Sequence, residues 1–374
     1  MGFSIDSHPS LGLMDEFGLI QTYFVGSRAA QEGPGLSHKQ ATGIGDDAAV
    51  LAPLPQGQQL VVTTDSLVEN QHYFSDVNPE ALGHKALAVS LSDLAAMGAR
   101  PWAFTLNLHL RSIRKPWLEA FSSGINTLAL KHGIALVGGD TVRVQAEEAV
   151  VVTAMGLVPL GQALLRKGLE PGDELWVSGS LGDGAWALEH QPLAKKLLWP
   201  EPRLALGQAL CEQQLAHAAI DVSDGLASEL GHLLQQSSAY RQGLALVAHV
   251  QFESLRQCLG PELQGAVSQG RLSLEQACLC AARSGDEYEL LFSAPVSARP
   301  SLRVLAEQLD LRLTSIGRVE QSQITQMDQI AQITQTQLNE PQVHWYGLDG
   351  KELLLSQEVL AGFNNFQEPQ REKA

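Results

Sequence analysis

The sequence predicts an α+β protein, helices and strands mixed, in two domains. Three observations carry this. The chain has 374 residues, more than one ordinary core accommodates. Short β-branched and aliphatic runs alternate with stretches of helical spacing in both halves, and antiparallel pairs fit the pattern as well as parallel ones. Pro159, Gly161, Gly168, Pro171 and Gly172 interrupt that pattern, which divides the chain into residues 1–160 and 161–374.

The elements follow in order. Leu60-Val61-Val62-Thr63-Thr64 reads as a strand running into Asp65. Ala81 to Met97 carries Leu82, Ala86, Val89 and Leu94 at helical spacing and stops at Gly98, as helices often do. A strand at Ala103–His109 precedes a helix from Trp117 to His132 that stops at Gly133. The strand Ala135–Gly139 leads into Asp140, and another lies at Val150–Val158. The second half offers a strand at Glu174–Ser178 and a run Ala218-Ala219-Ile220 that leads into Asp221. Asp224 is placed to cap a helix from Leu226 to Leu234. Strands at Leu244–His249 and Tyr288–Ser293 follow. Gln321 to Gln342 is rich in Gln with alternating Ile and Thr, and reads equally as a β-hairpin or a surface loop.

Composition excludes several function classes. Lys and Arg number 25 against 41 Asp and Glu, a formal net charge of −16. A surface this acidic repels nucleic acid and anionic membranes. A polyanionic ligand would then need metal cations as counter-charge, which directs attention to clustered carboxylates. No apolar run approaches the ~20 residues that cross a bilayer. The N-terminus has acids and a proline where a signal peptide is basic and apolar, and Asp6 stands where a myristoylation motif has Ser or Thr. A cytoplasmic location is therefore expected. Cys211, Cys258, Cys278 and Cys280 form no Cys-x-x-Cys pair, so they are read as reduced, mostly buried thiols.

Six short motifs carry possible chemistry. Gly43-Ile44-Gly45-Asp46-Asp47-Ala48-Ala49-Val50 places two carboxylates on a tight turn, suited either to Mg²⁺ or to a plain solvated turn. Thr63-Thr64-Asp65-Ser66, followed by Asn70-Gln71-His72, offers hydroxyl and carboxylate oxygens at a strand end. Asp93, in Leu91-Ser92-Asp93-Leu94-Ala95-Ala96-Met97-Gly98, sits in an otherwise apolar helix. An unpaired carboxylate there is costly, so it either pairs with Lys85 or coordinates metal. Gly138-Gly139-Asp140-Thr141 and Ala219-Ile220-Asp221-Val222-Ser223-Asp224-Gly225 end strands on aspartate; capping accounts for Asp224 but not Asp221. Ser284-Gly285-Asp286-Glu287-Tyr288-Glu289-Leu290-Leu291-Phe292 is either functional or an exposed acidic strand edge. Gly179-Ser180-Leu181-Gly182-Asp183-Gly184 is a glycine-rich turn before a helix, and no Gly-x-x-x-x-Gly-Lys-[Ser/Thr] P-loop occurs.

Taken together and in this order, from Gly43 to Phe292, these motifs resemble the thiamine-monophosphate kinase family. Trp199-Pro200-Glu201-Pro202-Arg203 and the tail Gly362-Phe363-Asn364-Asn365-Phe366 add to the resemblance. It implies the fold of aminoimidazole ribonucleotide synthetase, two α+β domains paired through the N-terminal one into a homodimer. It implies ATP and several Mg²⁺ ions in a cleft, with thiamine monophosphate as acceptor. By motif match the metal ligands are Asp46, Asp47, Thr63, Thr64, Asp65, Asp93, Asp140, Asp221 and Asp224. ATP contacts fall on Gly139, Asp140, Arg166 and Ser223, and acceptor contacts on His72, Asp286 and Phe363.

Two positions depart from the family pattern. Asp286 stands where the family often has Glu, and Phe363 where Tyr is frequent. The implied reaction moves the ATP γ-phosphoryl group onto a phosphate oxygen already ionised near neutral pH. No general base is needed, and the work is positioning and electrostatic. The competing readings are another ATP-dependent enzyme of the same superfamily, of the purine-synthesis cyclo-ligase or selenophosphate synthetase type, and a non-catalytic metal- or nucleotide-binding protein.

Overall fold

Strands β1 (Gln58–Val68), β2 (Arg100–Leu110), β3 (Ala135–Arg143) and β4 (Ala149–Pro159) form a first sheet in the order β1-β4-β2-β3. β4 is antiparallel to both neighbours and β2 and β3 are parallel, so the mixture of directions expected from the sequence is realised. The computed structural model describes residues 16–190, 195–240, 245–322, 342–355 and 360. Phe363 and residues 323–341 of the Gln-rich segment lie outside the described residues. Gln321 ends one strand and Gln342 begins another.

One face of the first sheet is covered by two helices, and the other only in part, where Leu36, Leu51 and Ala52 pack on Trp102, Ala103, Ala135 and Val137. Phe104, Leu106, Leu108, Val150, Val152 and Ala154 point inward against the helices Pro79–Ala96 and Lys115–His132. Alternate residues turn outward, and Leu60 and Val62 on that outer face are 38% and 56% exposed. The first helix is capped by the Asn78 side chain, which accepts from the Glu80 N–H at 2.8 Å, and it carries Pro79 in its first turn. It ends at Ala96, with Met97 as C-cap and Gly98 at φ +70°. The two helices cross closely because Gly83 and Gly124 lack side chains. A Cβ on Gly83 would lie 2.1 Å from the Phe121 carbonyl oxygen, and one on Gly124 1.9 Å from that of Glu80.

The second sheet contains β5 (Glu174–Ser178), β6 (Ala218–Asp221), β7 (Leu246–Gln251), β8 (Leu290–Ala294), β9 (Leu313–Gln321), β10 (Gln342–Tyr346) and β11 (Glu352–Leu353). Their order is β11-β10-β7-β9-β5-β8-β6, antiparallel except for β7 with β10. Leu175, Val177, Leu291 and Ile316 face a core shared with the helices Leu226–Tyr240 and Leu274–Arg283. Trp176, Leu290 and Phe292 face the opposite way and join the core beneath the first sheet. That double burial explains why β5 and β8 read as continuous rather than alternating apolar runs.

The helix Pro79–Ala96 is buried on nearly all sides, because it lies between β1 and β4 of one sheet and β6 of the other. It is the element that joins the two halves of the site.

Candidate active site

Asp65 does not end its strand, as the sequence suggested. β1 pairs with β4 without interruption to Val68, so Asp65 projects from within an edge strand toward the helix. There its carboxylate accepts a hydrogen bond from the Ser90 hydroxyl at 2.8 Å. Two residues on, the Ser92 hydroxyl donates to Asp221 at 2.7 Å, at the end of β6, where Asp221 is 3% exposed. Asp93 of the same helix accepts from the Thr63 hydroxyl. A helix held between two sheets thus sets Asp65, Asp93 and Asp221 side by side.

The electrostatics follow from that convergence. Burial, and then the neighbouring Asp93, push Asp65 up to about 6. Burial followed by Asp93 holds Asp221 well above the usual carboxylate range. Burial also raises Asp93, opposed by the Thr63 hydrogen bond and the Arg166 guanidinium. Three mutually repelling carboxylates, joined by hydroxyls, form an all-oxygen donor set suited to a hard divalent cation. Among the described residues no three His, Cys, Asp or Glu side chains stand close enough together to hold one metal ion by themselves. Mg²⁺ keeps several waters and takes one or two carboxylates from a protein, so the set fits it.

These carboxylates open into a cavity of about 650 Å³ between the two sheets. It is lined by Thr64, Asp65, His72, Lys85, Asp93, Arg166, Asp221, Ser223, Asp224, Asp286 and Tyr288, among others. Lys85, only 4% exposed, donates to Asp286 at 2.9 Å and not to Asp93, which removes the structural pairing considered for the helix. The Tyr288 hydroxyl donates to the same Asp286 oxygen at 2.7 Å. His72 accepts from the Val68 N–H through Nδ1 at 3.0 Å, which fixes its ring at the rim. Glu229, one turn into the helix that follows Asp224, reaches back to accept from the Asp224 N–H at 3.1 Å. Burial pushes Glu229 up to about 7.

The other predicted residues lie elsewhere. Asp46, Asp47, Gly139 and Asp140 line a second cavity of about 950 Å³ with Phe24, Thr105 and the glycine turn Gly43–Gly45. β1 and β3 are opposite edges of their sheet, so Asp140 does not join Asp65 within one chain. Thr63 and Thr64 also separate: Thr63 meets Asp93 inside, while the Thr64 hydroxyl lies 2.9 Å from that of Thr153. The acidic run 286–289 is not an exposed edge, since Glu287 and Glu289 are 1% and 0% exposed. Sequence reasoning missed Ser90, Ser92, Lys85, Glu229 and Tyr288 as site residues. For Lys85, Ser90 and Ser92 the available signal was polar side chains within an apolar helix, which must find partners when buried.

Comparison with known proteins identifies the family. Residues 45–158 match the family model "AIR synthase related protein, N-terminal domain". A thiamine-monophosphate kinase of Salmonella typhimurium is 38% identical over 317 residues, which cover 81% of this chain and 90% of that one. A crystal structure of thiamine-monophosphate kinase from Stenotrophomonas maltophilia has 40% identity and a TM-score of 0.69, covering 85% of this chain and 94% of that chain. AaThiL, solved with AMPPCP and TMP, superimposes with a TM-score of 0.63 at 25% identity, covering 84% of this chain and 90% of its own. The fold is therefore AIR synthase-like, and the chain belongs to the thiamine-monophosphate kinase family.

Proposed function

We propose that the protein transfers the γ-phosphoryl group of ATP to thiamine monophosphate, giving thiamine diphosphate and ADP, with Mg²⁺. One observation carries this reading: Asp65, Asp93 and Asp221 converge at the wall of a cavity that also holds Arg166, Lys85 and Ser223. In the transfer, an oxygen of the acceptor phosphate bonds to the γ-phosphorus as the bond to the β–γ bridging oxygen breaks. The nucleophile is already ionised near neutral pH, so the task is to align two anions. Asp65, Asp93, Asp221 and Asp224, with the Thr63 hydroxyl, would hold Mg²⁺, which supplies neutralisation of phosphate charge. The Arg166 guanidinium binds phosphate oxygens, Ser223 donates to them, and His72 and Asp286 hold the acceptor.

The same reading makes the protein a homodimer, with one domain about each sheet divided at residues 160 and 161. The support is the outer face of the first sheet, where Leu60 and Val62 are exposed beside the Thr64–Thr153 pair. Two such faces related by a two-fold axis would set Asp47, Gly139 and Asp140 of one chain beside the carboxylate cluster of the other. The resulting site would complete the ATP and metal contacts. Four unpaired cysteines support the expectation of a reducing, cytoplasmic setting.

The decisive assay combines purified protein, ATP, Mg²⁺ and thiamine monophosphate. Equal yields of ADP and thiamine diphosphate support the reading. ADP release indifferent to thiamine monophosphate, or ATP binding without product, would move the function to another acceptor.

A further inference from the structure

Neighbouring side chains of Asp286-Glu287-Tyr288-Glu289 go to different places. Asp286 and Tyr288 line the cavity, while Glu287 and Glu289 turn away into the protein, 1% and 0% exposed. Asp286 and Tyr288 also have positive φ, +55° and +53°, a left-handed backbone that non-glycine residues adopt only when their surroundings impose it. The surroundings here are buried and polar, and at Glu289 ionic. Glu289 accepts both the Nε and Nη2 protons of Arg203 at 2.6 Å, Lys196 at 3.0 Å and the Ser178 hydroxyl at 2.6 Å. Glu287 accepts the N–H groups of Gly182 and Gly184 at 2.7 and 2.9 Å and the Ser284 hydroxyl at 2.5 Å.

Two sequence features outside the cavity thereby acquire a purpose. The glycine-rich turn before the helix Asp183–His190 holds the protein's own Glu287 carboxylate where a phosphate-binding turn would hold an anion. The Arg that closes Pro200-Glu201-Pro202-Arg203 grips Glu289 with its planar fork. Both lock the two glutamates that flank Tyr288. Among the described residues, Asp286 takes its side-chain hydrogen bonds, from Lys85 and Tyr288, on the Oδ1 atom, which leaves Oδ2 for a donor or cation of the acceptor.

We propose that Glu287, Glu289 and Arg203 are positioning residues, which act through the backbone to present Asp286 and Tyr288 at the acceptor end of the cavity and so set acceptor affinity. The identity of the acceptor rests on the kinase reading above; the geometry does not.

The test uses Glu287→Gln, Arg203→Lys and Arg203→Met in the full chain. As a control, Arg299→Met breaks the pair that a helix residue, Arg299, makes with Glu174 of β5 in the same sheet, neither of which lines the cavity. The expected result is a rise of tenfold or more in KM for thiamine monophosphate for Glu287→Gln and Arg203→Met. KM for ATP should stay within twofold, and Arg203→Lys should fall between wild type and Arg203→Met. Arg299→Met should lower Tm with both KM values unchanged. Joint movement of both KM values, or acceptor KM tracking Tm across all four variants, would overturn the proposal. Crystal structures of Glu287→Gln and Arg203→Met decide the geometry independently. Asp286 should leave positive φ and its contact with Lys85, and its retention in both would equally sink the idea. If the wild type fails to phosphorylate thiamine monophosphate, the kinase reading falls while the crystallographic result still stands or fails alone.

Discussion

Asp65 and Asp140 lie in nearly the same cross-strand row of the first sheet but at its two opposite edges. Asp65 pairs with Val152, Val152 with Leu106, and Leu106 with Gly139, the residue before Asp140. Three strand spacings separate the two edges, about 14 Å. Their side chains also face differently: Asp65 looks inward to Ser90, whereas Asp140 is exposed. One Mg²⁺ ion cannot bridge that distance within a chain.

If two chains pair as proposed above, this separation predicts complementation between two inactive variants. Asp93→Asn and Asp140→Asn homodimers should each be nearly inactive. Mixed and re-equilibrated at equal amounts, half the dimers carry one intact site of two, so about a quarter of wild-type activity should return. Activity that stays at the level of the separate variants would show that each site is built within one chain.

Asp93→Asn should lower kcat by at least about a thousandfold, the scale of losing one electrostatic contact in a phosphoryl-transfer site. The fold should survive, because an amide oxygen can still accept from Thr63, and the metal-free Tm should hold or rise as a buried charge disappears. Near-normal turnover would remove Asp93 from the metal shell.

Asp65 titrates at about 6 in the fold against an ordinary value of 3.8. Its protonated form is the one the metal-free fold favours. That contribution to stability is fully present below about pH 4 and is lost as pH rises through about 6. Asp65→Asn should therefore match the wild type at pH 4 and exceed it at pH 7.5 by about 1–3 kcal/mol in metal-free urea unfolding. A gap that closes, or reverses, with rising pH would contradict this. Added Mg²⁺ should stabilise the wild type more at pH 7.5 than at pH 5, since it binds ionised carboxylates.

Gly179 and Gly172 both have positive φ, +58° and +94°, but differ in their neighbours. A Cβ on Gly179 would sit 2.1 Å from a Glu289 carboxylate oxygen, while among the described residues nothing lies within 4 Å of one on Gly172. Gly172→Ala should cost about 1 kcal/mol, the left-handed penalty alone. Gly179→Ala should cost about 3 kcal/mol, because the buried ion network must shift as well. Equal losses in denaturant titrations would mean that Glu289 moves aside freely.

Much of the architecture was readable before any coordinates. The strand Glu174–Ser178 has the predicted ends, the second long helix is capped by Gly133 as expected, and the first ends at Ala96, one residue earlier than its spacing suggests. The helix starting at Leu226 runs six residues past Leu234, to Tyr240. Its continuation is polar (Gln235, Gln236, Ser237, Ser238), so apolar spacing alone could not follow it. Ser237 is nonetheless buried and accepts from the N–H groups of Gly168 and Leu169 at 3.1 Å.

The sequence alone supplied the candidate aspartates. Strand character running into Asp65, Asp140 and Asp221, and a lone Asp93 in an apolar helix, are local signals, because strand and helix periodicity are written in neighbouring residues. The order of the motifs was enough to indicate the family. Only the tertiary structure decided the grouping. It sends Thr63 and Thr64 to opposite faces, splits Asp47 and Asp140 from Asp65 and Asp93, pairs Lys85 with Asp286, and buries Glu287 and Glu289 away from the cavity. Which edge of a sheet a strand occupies, and which sheet covers a helix, depend on residues far apart in the chain. No local pattern records that pairing, and here it determines which carboxylates share a cavity.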